Sequence, residues 1–231
     1  MSAGVEFPPA TDLRAARARV GGVVAEVVGQ AVRDAGAAGV VLMDDGSPEA
    51  SLAAEWCALG VGADAVWRVP RPRPEEARTC IAAFEAEAEE TASAVEEAHR
   101  FRCRLVAATR GALVAHPANR TVLLLAPPPP PEPLLPLGDL YASQVAALAG
   151  EWTGPPALER LAHAVGGISV LDAALHAWLE ERRPFEAVVE SLGAEAAAEV
   201  RRAFETGRFW RRRAGLVPKL GSRTLGIDLF G

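Results

Sequence analysis

The six consecutive residues Asp44-Asp45-Gly46-Ser47-Pro48-Glu49 hold the densest set of chemical groups in the chain. Three are carboxylates, one is a hydroxyl, and Gly46 is the lone glycine. Carboxylates at this spacing suit a magnesium ion, which would then carry a phosphate. A cradle binding phosphate directly would want glycines and hydroxyls instead, so that backbone N–H groups reach the oxygens. A carboxylate about 4 Å from a phosphate oxygen costs on the order of 4 kcal/mol at an effective dielectric of 20. Two readings therefore stand: a solvated acidic turn, or a nucleotide site in which Asp44, Asp45 and Glu49 hold the metal.

The sulfur and imidazole groups carry less. Cys57, Cys80 and Cys103 are odd in number and too widely spaced for a zinc site, so they read as reduced thiols. His99 stands four residues before Cys103, but one such pair makes no metal site. His116 and His163 are lone histidines and read as structural.

The elements that must position the acidic turn are legible from periodicity. Thr11-Asp12 offers a cap for a helix over Leu13 to Ala35, where apolar residues recur at Val20, Val23, Val24, Val27, Val28 and Ala31. Gly39 to Met43 is a fully apolar run, the pattern of a buried parallel strand, and it leads into the turn. Pro48 opens a helix to about Leu59, and Ala63 to Val69 is the next strand. Strand, helix and strand with short joints imply a parallel sheet covered on both faces. In such sheets ligands bind beyond the carboxyl ends of the strands, which is where the acidic turn falls.

Farther along, Arg71-Pro72-Arg73-Pro74 is a stiff joint, and a long helix is expected over Glu75 to Ala115, with a break at Gly111. Thr121 to Ala126 reads as a buried strand, and Pro127 to Pro133 as a polyproline-type loop. Gly138-Asp139 is expected to cap a helix from Leu140 to about Trp152. Helices over Val170–Glu181, Pro184–Leu192 and Ala194–Arg213 fill the C-terminal third. The tail from Lys219, the only lysine, shows no periodicity.

Composition bounds what this can do. Of 231 residues 50% are hydrophobic and 23% charged, which suits a folded globular protein. A formal net charge of -6 argues against a general nucleic-acid or anionic-membrane binder. No apolar run approaches the roughly 18 residues of a membrane span. Met1 to Pro9 lacks the basic and apolar regions of a signal peptide, so the expected location is the cytoplasm.

With these elements in order, the chain resembles the ammonia-dependent NAD synthetases, N-type ATP pyrophosphatases. Their first strand enters an SGGxDS loop for the pyrophosphate of ATP; the matching residues are Asp44, Asp45, Gly46, Ser47, Pro48 and Glu49. Arg102-Cys103-Arg104-Leu105 resembles an ARLRM-like motif and keeps both arginines. His116 to Val122 resembles GTGNKSE, keeping Asn119, Arg120 and Thr121 but placing Val122 where the family has a magnesium-binding glutamate. Pro136 to Val145 is similar to P(I/L)GDLYKTQV, with Ala142 in place of its lysine. Ile168 to Leu175 resembles the family's YDxIDxxL helix; Phe209 to Arg213 and Pro218 to Arg223 resemble its closing basic segment.

The resemblance implies an α/β fold with a helix-flanked, Rossmann-like parallel sheet and a helical C-terminal third. It implies one domain over residues 1–231, with a proline-rich loop at 127–136 and a tail at 214–231. The family adenylates a carboxylate of deamido-NAD and lets ammonia displace AMP, using magnesium and lysines to spread the charge. An acidic donor loop, Val122 and Ala142 imply a degenerate member without that activity. The ligand-binding set it implies is Asp44, Asp45, Gly46, Ser47, Arg102, Arg104, Asn119, Arg120 and Arg212. ATP, AMP, NAD or its deamido precursor are the implied ligands, with magnesium only if the site has been rebuilt. In the alternative reading Asp139 and Tyr141 are a helix cap and a core ring, and the arginines form solvated or inter-subunit contacts. A homodimer and association with an active NAD synthetase are the implied assemblies.

Overall fold

The computed structural model describes residues 13–77, 92–126, 134–207 and 215–220. The expected cap Thr11-Asp12, Cys80 and the middle of the long helix lie outside them, as do the proline run 127–133, Arg212 and the tail beyond 220.

Helix α1 (Leu13–Asp34) buries Ala16, Val24, Ala25, Val28 and Val32, the three-and-four spacing of one helix face. Strand β1 (Val40–Asp44) follows, then α2 (Pro48–Val61) and β2 (Val66–Pro70). Next come α3 (Ala92–Arg110) and β3 (Leu113–Ala115). The sheet order is β2-β1-β3 and all pairs are parallel, with Val40 opposite both Val66 and Leu113. Single-residue parallel bridges, Ala115 to Leu134 and Leu134 to Leu216, continue the sheet beyond β3.

The side chains of β1 alternate between two cores, as a period of two requires. Val40 and Leu42 pack with Val24, Val28, Leu52 and Trp56 of α1 and α2. Val41 and Met43 pack with Cys103 and Ala107 of α3. The α1–α2 contact is close because it is built on small residues: a Cβ on Gly60 would land on the Ala25 carbonyl oxygen.

Past the sheet the chain is helical, with α4 (Arg120–Leu125), α5 (Ala142–Ala149) and α6 (Pro156–Ala164). Then come α7 (Ile168–Leu179), α8 (Phe185–Leu192) and α9 (Ala194–Thr206). Their shared core includes Leu123, Leu124, Leu135, Tyr141, Leu171, Leu175 and Val200.

Three expectations are corrected. The helix expected to reach Ala115 stops at Arg110, because Gly111 turns the chain at φ +63° and Leu113–Ala115 joins the sheet. Thr121 to Ala126 is helix α4, not a strand: Asn119 accepts a hydrogen bond from Val122 N at 3.1 Å and caps it. Leu123, Leu124 and Leu125 are all buried, and such a short apolar run has no periodicity to separate helix from strand. Asp139 does not cap α5, which starts at Ala142 with Tyr141 at the cap position. Helix α6 was not foreseen in the sequence; Pro155 and Pro156 open it.

Candidate functional site

The order β2-β1-β3 puts a topological switch point between β1 and β3, and the loop that leaves β1 lies at its mouth. That loop is closed on itself. The Asp44 carboxylate accepts Gly46 N–H at 3.0 Å, and the Asp45 carboxylate accepts Ser47 N–H at 3.0 Å. Ser47 Oγ, the one hydroxyl, accepts Ala50 N–H at 3.1 Å as the N-cap of α2. Pro48 has no N–H to give. The Gly46 and Ser47 N–H groups are thus met by the turn's own carboxylates.

The three carboxylates of the loop face different partners. Asp44 receives Arg68 Nε at 2.8 Å. Burial would raise its carboxyl, but the Arg68 and Gly46 hydrogen bonds and the Arg68 charge outweigh that, and its pKa is lowered. Glu49 is buried at 4% exposure and accepts Thr153 N–H at 3.3 Å, tying the start of α2 to the segment after α5. Burial raises its pKa against the hydrogen bonds of its own N–H and Thr153, and the Asp45 charge pushes the same way. Asp45 remains exposed. Among the described residues no group of three or more His, Cys, Asp or Glu converges as a metal site. Asp44, Asp45 and Glu49 therefore do not converge as the magnesium ligands of the rebuilt site would.

Asn119 and Arg120 are brought together elsewhere, under the helical layer. Arg120 Nη1 meets Asp139 Oδ1 at 2.7 Å with side chains 1% and 0% exposed. Its guanidinium lies 5.3 Å from the Tyr141 ring centroid and 3.4 Å from Glu180 Oε1, which also accepts Tyr141 O–H at 2.8 Å. The second Asp139 oxygen accepts Leu220 N–H at 2.6 Å. Beside this, Thr121 Oγ1 donates to Asp172 Oδ1 at 2.6 Å and accepts Ala142 N–H at 2.9 Å. Ser143 N–H donates to Asp172 Oδ2 at 2.7 Å. Asp172 is 1% exposed, and burial pushes its carboxyl up to about 6 against those hydrogen bonds. This network anchors α4, α5 and α7 to one another.

Arg102 and Arg104 flank the buried Cys103 on α3 and so lie on different sides of the helix. Arg102 reaches Glu76 at 3.2 Å, and Arg104 is exposed. Sequence reasoning missed a further group past the ends of β2 and β3. His99 Nε2 lies 2.7 Å from Val69 O, and His116 Nδ1 accepts Ala118 N–H at 3.0 Å. His116 Nε2 lies 3.6 Å from Glu96. Burial would raise the Glu96 carboxyl, but His116, Arg100 and His99 outweigh it and bring it down to about 2. His99 and Glu96 lie one turn apart on α3, a spacing the sequence displays; the meeting with His116 depends on how α3 packs on the sheet. Cys57, buried in the first core, has its thiol pushed up to about 12 by burial, the state of an inert thiol.

No family model and no curated protein sequence matches the chain. Among solved structures it is similar to the NH3-dependent NAD synthetase from Campylobacter jejuni subsp. jejuni NCTC 11168, solved in complex with the nitrate ion. The TM-score is 0.64 at 19% identity, covering 84% of this chain and 95% of that one. It also matches the glutamine-dependent NAD+ synthetase from Acinetobacter baumannii, in complex with adenosine diphosphate. There the TM-score is 0.48 at 17% identity, over 92% of this chain and 48% of that one, about half its length. The chain is an α/β protein with a helix-flanked parallel sheet. Its fold is that of the NH3-dependent NAD synthetase; at this identity the fold is what the two share.

Proposed function

We propose that this protein is a degenerate NAD synthetase homologue that does not carry out ATP-dependent amidation. It would bind a nucleotide or dinucleotide, or regulate a partner such as an active NAD synthetase. One observation carries the first half: Asp44 and Asp45 hold the Gly46 and Ser47 N–H groups, where a pyrophosphate would need them. Negative charge already fills the cradle, and an anion brought there meets repulsion without the donors that would offset it.

The reading of Asp44, Asp45 and Glu49 as magnesium ligands is not favoured, because Arg68 and Thr153 already engage two of them. Arg120 and Asn119 serve the fold in this reading, as a buried ion pair and a helix cap. Arg102 and Arg104 remain as the described cations from which a nucleotide contact would be built. A homodimer is part of the proposal, and the exposed apolar Leu105 of α3 is one surface on which it would draw.

The test is calorimetric titration of the purified protein with ATP, with and without magnesium, beside NAD and its deamido precursor. The expected result is no heat from ATP in either condition and saturable heat from a dinucleotide. Magnesium-dependent ATP binding, with ammonia-dependent turnover of deamido-NAD, would overturn the proposal. Removing Asp45 should then abolish that turnover.

A further inference from the structure

We propose that a groove among the C-terminal helices is a binding site for a free apolar α-amino acid. The groove encloses about 430 Å³ between the end of α4, helix α6 and helix α9. Its floor is hydrocarbon: Leu125, Leu158 and Leu161 all line it and all are buried. Its size lies toward the lower end for small-molecule sites, which suits one small molecule rather than a folded partner.

The wall formed by α9 supplies the polar chemistry. Glu199 and Arg202 both line the groove, three residues apart on neighbouring turns of one helix face. On the same helix Arg201 and Glu205 pair at 3.0 Å. Glu199 and Arg202 do not pair with each other, and neither side chain makes an ion pair or hydrogen bond among the described residues. A carboxylate and a guanidinium one turn apart on the exposed rim of an apolar groove complement a molecule with three parts. Its ammonium meets Glu199, its carboxylate meets Arg202, and its hydrocarbon enters between Leu125, Leu158 and Leu161. An α-amino acid such as leucine or phenylalanine has that arrangement. An interior residue of a peptide does not, since both of its charged ends are consumed in amide bonds.

The experiment is calorimetric titration of the full chain with L-leucine and L-phenylalanine. Isocaproate lacks the ammonium, isoamylamine lacks the carboxylate, and N-acetyl-leucine amide lacks both, so these serve as comparators. Saturable binding of at least one amino acid is expected, with each comparator weaker by roughly tenfold or more. Glu199→Gln should weaken leucine but not isocaproate, and Arg202→Gln should weaken leucine but not isoamylamine. Both positions are exposed, so unchanged melting temperatures will confirm that the variants fold. No saturable heat from either amino acid overturns the proposal. Blocked leucine binding as well as the free amino acid overturns it in favour of a peptide, and isocaproate binding equally well overturns the role of Glu199. The groove does not include the loop after β1, so this result is read separately from the ATP titration.

Discussion

Arg120 and Asp139, nineteen residues apart, form an ion pair at 2.7 Å with side chains 1% and 0% exposed. The pair joins the start of α4 to the turn before α5, and Asp139 also holds Leu220 N–H. Removing one member leaves the other charged and buried, which costs about 3–5 kcal/mol. Asp139→Ala and Arg120→Ala should each lower stability by that order in urea denaturation. The double variant should lose much less than the sum of the two. Strict additivity would show that the pair is not the source of the loss.

Asp172 gives the protein a pH dependence whose sign follows from its environment. The carboxyl goes from 3.8 in the unfolded chain to about 6 in the fold, burial being the cause. Between those values the folded state keeps a proton that the unfolded state has released. This contribution is therefore full below pH about 4, falls as pH rises through 6, and is flat above. It amounts to about 3 kcal/mol, at 1.36 kcal/mol for each unit. Comparing wild type with Asp172→Asn at pH 4.5 and pH 7 isolates it. The stability gap between the two proteins should narrow or reverse toward pH 7. A gap independent of pH would mean that Asp172 does not titrate in this range.

Two glycines of the first helical layer should respond oppositely to alanine. At Gly60 the new Cβ would strike the Ala25 carbonyl, so Gly60→Ala should cost about 1–3 kcal/mol. Gly22 sits exposed within α1 with open space around it, and Gly22→Ala should gain about 0.5–1 kcal/mol from the lost backbone freedom of glycine. Thermal melts of the two variants check both signs at once.

The β1–α2–β2 unit was legible because each element carries its own period or punctuation, as with the apolar Val40–Met43 run and Pro48 after Ser47. Thr121–Ala126 was misread because a short run buried on every side looks the same in either secondary structure. The acidic turn was visible as a loop of carboxylates, but its closure was not. That Asp44 faces Arg68 depends on the parallel register of β1 and β2, which no local pattern encodes. Asp172 was one acidic residue in an apolar helix, and its role rests on partners fifty-one and twenty-nine residues away. Arg120 reads equally well as a nucleotide contact or as a solvated or inter-subunit arginine. Its 1% exposure and pairing with Asp139 depart from the solvated reading, which no local pattern shows because its partner lies nineteen residues away.

The closure of the β1 loop can be undone. Asp45→Gly frees Ser47 N–H and removes a charge from the mouth of the turn, while Asp44→Ser frees Gly46 N–H and releases Arg68 from its partner. The double variant keeps the Ser47 cap of α2, so the helix start should hold. Backbone donors at a helix N-terminus with a nearby arginine form an anion site, and inorganic pyrophosphate is the probe that reports it most directly. The wild type should give no saturable signal, whereas the double variant should bind pyrophosphate with an affinity that falls as salt is added. Asp45→Gly alone should fall between them, because one N–H remains held by Asp44. If the folded double variant binds no better than the wild type, the loop's own carboxylates do not set its phosphate affinity, and the proposed absence of amidation would have to rest on Val122 and Ala142 instead.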